Sequence, residues 1–584
     1  MPTLDPGEIR RKLPVFDRRF FSSGEVISTI GSGAIGGKAT GLAFINDVLK
    51  EKIDHSRFPG VTITIPTLAV VGTGVFDAFM ANNQLHDLAY SDMPDDRIAH
   101  AFVNAELPPV MVGDLRALIA SVTTPLAVRS SSMLEDAMYE PFAGVYGTKM
   151  IPNNQADVDT RFRMLTEAIK FVWASTYFKA AKDYIAMTDK KTEQEKMAVI
   201  IQEVVGERYQ ERYYPHISGV GRSFNFYPTG HADPEDGVIE LALGLGKTIV
   251  DGGRVYSYSP AYPKSPPPVA SARDQVQISQ STFWAVNMGR PPAHDPVKET
   301  EYLCQCDLAH AEYDNTLRFV ASTYDASSDK VYPGVGRDGP RVINFAPILR
   351  LNEVPLNDLV EQILNVSAEA LDSPVEIEFA VTLDKQRALP ARFGLLQVRP
   401  MVVSRDEIEL SDEEMSSESV LAASDRVLGN GQLTDIRDIV YVMPDAFEAK
   451  HTPAIAAELS TLNRSLVEQK RPYVLIGFGR WGSSDPWLGI PVEWGQINGA
   501  RVIVEATTPE MNVEMSQGSH FFHNITSFSI PYFAVRHDSR FNIDFDWLAG
   551  QEEIARQQFT RHVRTENPVT VKVDGRQSRG VIVR

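Results

Sequence analysis

Lys38 closes a glycine cluster, Gly31-Ser-Gly-Ala-Ile-Gly36-Gly37-Lys38, and heads a stretch in which Leu42, Phe44, Ile45, Val48 and Leu49 recur at helical spacing. Glycines let backbone approach phosphate oxygens, the first turn of a helix offers unbonded N–H groups, and a lysine adds a point charge. The cluster satisfies G-x-G-x-x-G, yet no strand ends in an acidic residue about 20 positions later, where a dinucleotide's ribose would need one. It is not a Walker A loop either: Ser32 stands five positions before Gly37, and Ala39 takes the place of the metal-binding Ser or Thr. Phosphate binding and a plain strand-to-helix turn both stay open for this cluster alone.

Three further stretches carry chemistry of the same kind. In Pro125-Leu-Ala-Val-Arg129-Ser130-Ser131-Ser132 an arginine ends an apolar strand before three hydroxyls, a fork for an anion; the alternative is that Arg129 pairs with Glu135 or Asp136 to cap a loop. The apolar run Val238–Leu243 breaks into Gly244-Leu-Gly246 and then Gly252-Gly253, another place where backbone can approach a ligand. Glu376-Ile-Glu378 and Gln397-Val-Arg399-Pro400 read as two strands joined by a turn. Paired, they set Glu378 beside Gln397 as oxygen ligands for a hard cation such as Mg2+, with Arg399 on a phosphoryl group. Later, Gly477–Trp487 gathers glycines, Arg480, hydroxyls and two tryptophans, either a loop for an anionic or ring-bearing acceptor or a buried turn.

In this order, Gly36-Gly37-Lys38, Val128-Arg129-Ser130-Ser131 with Glu135-Asp136 and Phe142-Ala143-Gly144, Gln202–Val205, Gly244-Leu-Gly246, Glu378 and Gln397-x-Arg399-Pro400 resemble the ATP-grasp nucleotide-binding domain of phosphoenolpyruvate synthase and pyruvate, phosphate dikinase. The resemblance covers roughly residues 25–403. It implies that Lys38 and Arg129 bind the triphosphate of ATP, that Gln202–Val205 lies against adenine, and that Glu378 and Gln397 ligate Mg2+. Gly36, Gly37, Ser130, Gly244, Gly246 and Arg399 complete the expected nucleotide site. Lys247 departs from the family, which usually has an acidic residue after Gly-Leu-Gly. Dikinases of this family pass phosphate through a histidine in a Thr-(Ser/Cys)-His stretch. The matching segment here is Gln517-Gly-Ser-His520, with His520 eleven residues before Pro531 as in the family, which makes His520 a candidate phosphocarrier. The family's preceding Gly-Gly is missing and the neighbours are bulky aromatics, so a degenerate or unrelated domain is the alternative.

The elements that must position these residues follow from pattern. Val61–Pro66, Ala198–Val205 and Gly237–Leu243 read as strands, the last two bracketing the polar segment Glu207–Tyr214; Ala39–Leu49 and Arg163–Met187 read as helices. Proline-rich Ser259–Ser271 reads as a surface loop, and acidic, serine-rich Ser404–Ser419 as a solvated linker. Beyond it, Asp438–Val442 and Arg501–Glu505 read as strands, and Val569–Val573 with Gly580–Val583 as a hairpin across Asp574-Gly575. The expected organisation is an α/β (α+β) chain: an ATP-grasp domain of several subdomains over 1–403, a linker over 404–419, and a smaller α/β domain over 420–584, of the swivelling phosphohistidine kind if His520 carries phosphate. About 165 residues follow the linker, too few for the dikinases' phosphoenolpyruvate-binding barrel, so pyruvate is not implied as acceptor.

Composition bounds the function. Against 76 Asp+Glu stand 57 Lys+Arg, a formal charge of −19, which excludes a general nucleic-acid binder. With 43% apolar residues the chain builds real cores. Cys304 and Cys306 are its two cysteines, too few for a disulfide framework or a four-cysteine zinc site. No apolar signal-peptide core and no run of about 18 apolar residues is found, so a cytoplasmic protein with no membrane partner is expected. The expected function is an ATP- and Mg2+-dependent phosphotransferase acting on His520 or on a small-molecule acceptor near Arg480, assembled as a homo-oligomer. The alternatives are an ATP-sensing or scaffold module without transfer, or the nucleotide-binding subunit of a split phosphotransferase with a partner chain.

Overall fold

The structure is a computed structural model, and it describes all residues except 1–5, 21–22, 134–143, 186–190, 227, 229–230, 266–270, 384–390, 402–407, 409, 484, 510, 512–519, 528–529 and 576. Two compact units emerge. One comprises Met1–Phe224, Glu235–Ile249 and Arg254–Met401; the other Asn225–Pro234, Val250–Gly253 and Val402–Arg584.

In the first unit, the apolar runs Leu68–Val71 and Met197–Ile201 lie in strands buried on both faces, at the middle of a five-stranded sheet. The strands of that sheet are β1 (Ile27–Ile30), β2 (Leu68–Val71), β3 (Leu126–Ser132), β4 (Thr148–Ile151) and β5 (Met197–Glu203), in the sheet order β1-β2-β5-β3-β4. Helix α1 (Gly36–Lys52) follows the glycine cluster and buries Ala39, Leu42, Ala43, Ile45 and Leu49. The helix expected over Arg163–Met187 is instead two, α2 (Val158–Ser175) and α3 (Lys179–Ile185), with residues 186 and 187 outside the described set. At the break, Ser175 Oγ donates to Val172 O (2.7 Å) and accepts the Gly147 N–H (2.9 Å). A hydroxyl there competes for the helical ladder. The predicted apolar stripe survives the break, because Leu165, Ile169, Val172, Trp173, Tyr177, Ala181, Tyr184 and Ile185 are all buried.

A second sheet carries the carboxylates. Strands β6 (Ile217–Arg222), β7 (Val238–Ala242), β8 (Tyr256–Tyr258), β9 (Val375–Leu383) and β10 (Ala391–Pro400) order as β8-β7-β6-β9-β10, and Val61–Thr64 adds to the free edge of β10. The polar segment Glu207–Tyr214 is a hairpin of Glu207–Tyr209 with Arg212–Tyr214, turned at Gln210 in a left-handed conformation (φ 53°). Cys304 and Cys306 are free thiols on strand Leu303–Asp307.

The second unit is built on one large sheet. Its strands β11 (Gly431–Val442), β12 (Tyr473–Phe478), β13 (Ala500–Ala506) and β14 (Tyr532–Val535) run parallel in that spatial order. On the other side of β11 lie β15 (Thr560–Asp574) and β16 (Arg579–Val583), the latter pair forming the hairpin expected across Asp574-Gly575. Helix α4 (Thr452–Glu468) connects β11 to β12, and α5 (His520–Ser527) falls between β13 and β14. The solvated linker expected over 404–419 requires correction in its second half. Ser411 caps a helical turn, Asp412–Met415, and Leu410 and Met415 are buried with Ala423, Phe541 and Val581. Two apolar residues spaced across one turn suffice to anchor an otherwise acidic segment, and Glu414 and Asp412 meet Lys572 and Arg579 at 2.8 and 3.2 Å. Among the described residues no helix is long and apolar enough to cross a membrane.

A buried charge cluster ties β11 to β15. His562 Nε2 lies 2.8 Å from Asp438 Oδ1, and Arg471 Nε donates to Asp438 Oδ2 at 3.0 Å. Burial alone would raise the Asp438 carboxyl, but the hydrogen bonds from His562 and Arg471 hold it below its ordinary value. A carboxylate depressed on folding stabilises the fold above its unfolded pKa and stops doing so as pH falls through the folded one. Asp438→Asn is therefore expected to cost roughly 1.5–3 kcal/mol at pH 7 and to flatten the loss of stability below about pH 4, as measured by urea unfolding at stepped pH. An unchanged acid limb in the variant would contradict this role.

Candidate nucleotide site

Cross-strand register builds the acidic face. On the β9–β10 ladder Glu376 stands opposite Arg399 and Glu378 opposite Gln397, so the pair expected from sequence is side by side. The next pair is Phe379 with Leu395, which leaves Leu396 as the extra residue of a bulge. Bulges bend a strand and free a carbonyl from the ladder. Arg129, in the middle of β3, uses that opening: Nη1 donates to Leu396 O (3.0 Å), while Nη2 donates to Glu378 Oε2 (3.2 Å) and Gln397 Oε1 (2.9 Å). The side chains of Arg129 and Glu378 are 13% and 17% exposed, so the pair is largely but not fully screened from water. Glu135 and Asp136, the alternative partners, lie outside the described residues, as do Phe142 and Ala143.

The glycine cluster docks beside it. Gly36 has φ 76°, and a Cβ there would fall 1.8 Å from Ser131 O, so only glycine permits this approach to β3. Ser131 Oγ donates to Ile35 O (2.8 Å) and accepts the Ala39 N–H (3.1 Å). Lys38 Nζ donates to Ser130 Oγ at 3.2 Å, and Gly37 sits in the first turn of α1. The cluster is thus a strand-to-helix turn that also sets a lysine on the strand bearing Arg129.

Gly244 (φ 83°) is likewise obligatory, since a Cβ would lie 2.6 Å from Trp284 O; Gly246 has room, its nearest neighbour Ser218 Cβ being 3.7 Å away. The pyruvate phosphate dikinase AMP/ATP-binding domain family matches residues 32–419, well over half of the chain and all of this constellation. The chain belongs to that family. The dikinase family is one of ATP-binding phosphotransferases, and its matched domain is the one that binds AMP or ATP. No curated protein matches the chain in sequence.

Within this dikinase-type domain some residues stand where sequence pattern did not put them. Arg399 was expected on a phosphoryl group, but it is buried and its guanidinium is engaged by Glu376. The same carboxylate accepts Arg222 Nε at 2.5 Å, so two arginines flank one buried glutamate. Glu376 and Arg222 were missed as a unit; a glutamate near the start of β9 and an arginine at the end of β6 were the available signal, because such charges persist in a core only when paired. Glu240 was missed too. It opposes Val220, which opposes Glu378, and directly opposed residues share a sheet face, so the buried Glu240 lies on the face of the candidate metal ligands. Gln202 and Val205, expected against adenine, are both buried, Gln202 Nε2 lying 3.4 Å from Pro66 O at the end of β5. Lys247 Nζ sits 5.9 Å from the centre of the Trp284 ring, a cation on an aromatic face where the family usually has an acid.

His520 is the first residue of α5, following β13 and preceding the parallel β14. Its side chain, that of His523, and residues 512–519 lie outside the described set.

Proposed function

We propose that this chain is an ATP- and Mg2+-dependent phosphotransferase that hands a phosphoryl group to His520. The observation that carries the reading is Arg129 bridging Glu378 and Gln397, which gathers an anion-binding cation and two oxygen ligands at one point. The donor set fits Mg2+: a carboxylate and a carboxamide oxygen are hard ligands, and two protein ligands match a cation that takes its remaining positions from water and phosphate. Among the described residues no cluster of three His, Cys, Asp or Glu competes as a metal site. Bound there, Mg2+ would neutralise phosphate charge and fix the geometry of the chain of phosphates.

Lys38 and Arg129 supply positive charge to the phosphate oxygens, and Ser130 orients the lysine. Charge stabilisation and positioning are most of what phosphoryl transfer requires. An imidazole nitrogen of His520 then forms an N–P bond as the P–O bond to the nucleotide breaks, and the electron pair leaves on the nucleotide oxygen. The start of a helix supports the role, since its unbonded N–H groups stabilise added negative charge.

The test uses ATP labelled separately at the β and γ phosphates, with Mg2+, followed by assay for acid-labile, base-stable label on the protein. Label is expected on the wild-type chain and absent from His520→Ala, and Glu378→Ala is expected to raise the Mg2+ concentration required by about tenfold or more. ATP bound without label in either chain would overturn transfer to His520. A Mg2+ requirement untouched in Glu378→Ala would overturn the metal assignment.

A further inference from the structure

The loop Gly477–Trp487 lies in the C-terminal unit at a place where α/β sheets take ligands. Phe478, Ala506 and Val535 end β12, β13 and β14 opposite one another, so the carboxyl ends of three parallel strands form one edge. The loop leaves that edge between two left-handed glycines, Gly479 and Gly482, both with φ 72°. A Cβ on Gly479 would fall 2.2 Å from Met511 Sδ, and one on Gly482 2.5 Å from the Phe521 ring. Both flanks of the segment leading into His520 therefore pack on this loop.

The loop is also braced from beneath. Arg480 N–H donates to Leu488 O and Gly482 N–H to Ile490 O, both at 2.9 Å, and Trp481 Nε1 donates to Val504 O at 3.3 Å. Buried Glu505 accepts from the Tyr532 hydroxyl and from the Trp481 N–H. Burial pushes that carboxyl up, against smaller opposing effects of Tyr532, Arg480 and Trp481. Arg480 Nη1 donates to Gly252 O and Gly253 O at 3.2 Å each, contacts that fix the plane of the guanidinium.

We infer that the Gly479–Ser483 loop is a phosphoryl-binding site of the C-terminal unit, with Arg480 as its anion-binding residue and Glu505 as the buried group that positions it. The inference rests on the phosphotransfer reading for its ligand. The recognised group is a phosphoryl dianion, whose source is either the phosphate of a small acceptor or the group carried by His520.

The test measures binding of labelled inorganic phosphate by equilibrium dialysis, on the full chain with its nucleotide site filled by a non-hydrolysable ATP analogue. Arg480→Gln is expected to weaken phosphate binding by about tenfold or more and Arg480→Lys by less, with affinity for the analogue unchanged. Equal phosphate binding by wild type and Arg480→Gln, or none by the wild type, would overturn the site. A purely structural latch would lower the unfolding temperature of Arg480→Gln and leave phosphate binding unmoved, which also counts against it. Phosphate binding retained in His520→Ala supports an acceptor's phosphate as the source. Protein-bound label that decays about tenfold faster in Arg480→Gln supports the carried group. Should the wild type never become labelled, transfer to His520 fails as a reading, and the dialysis result alone decides this site.

Discussion

Arg129→Ala will lower ATP-dependent turnover by about a thousandfold or more while the chain still unfolds cooperatively. The side chain holds three acceptors at once, Leu396 O, Glu378 and Gln397, and so touches both candidate metal ligands. Removing it takes away a charge facing the phosphates and releases the two oxygen ligands from their common anchor. Arg129→Lys should recover little, because an ammonium cannot span the carbonyl, the carboxylate and the carboxamide as a planar fork does. The fold should tolerate the loss, since Glu378 is partly exposed and water can replace the guanidinium. Steady-state product release and thermal unfolding, measured on the same preparations, check both halves; turnover within tenfold of wild type would sink the assignment of Arg129 to the phosphates.

Glu376→Ala should give the largest loss of stability of any single change near the site, about 3–5 kcal/mol. Arg222 and Arg399 both engage this carboxylate and all three side chains are almost fully buried. Deleting the anion leaves two guanidinium groups with their main counter-charge gone, in a place where water cannot reach them. Glu376→Gln should cost less, as it keeps one hydrogen-bond acceptor, and replacing all three residues with apolar side chains of similar volume should restore much of the stability. Equilibrium urea unfolding of these variants decides the matter; a loss under about 1 kcal/mol for Glu376→Ala would show that the cluster relaxes or hydrates in solution.

The site was legible where its signal is local. Gly36 and Gly244 need left-handed backbone against a close neighbour, and a glycine at such a position is visible in the string before any fold is known. Strand pairing of Glu376–Glu378 with Gln397–Arg399 was legible too, because two apolar strands joined by a short connection pair as a hairpin and alternation fixes which residues share a face. What the pattern did not anticipate lies where chain-distant groups compete. Arg399 looked like a phosphate ligand, whereas the buried Glu376, which also accepts from Arg222, engages it across the β9–β10 pair. Leu410 and Met415 looked too sparse to anchor an acidic segment, yet Phe541 and Val581 supply the other half of their core.

By itself, then, the amino-acid sequence determined the family, the glycine turns, the hairpin of carboxylates and the order of motifs, all of which depend on residue type and short spacing. Only the tertiary structure decided that a bulge at Leu396 offers its carbonyl to Arg129, that Arg399 faces a buried carboxylate, and that the Arg480 loop packs on both flanks of the His520 segment. The physical reason is the same in each case. A charged or hydrogen-bonding group takes the partner that burial brings within about 3 Å, and burial is settled by long-range packing that no local stretch of sequence contains.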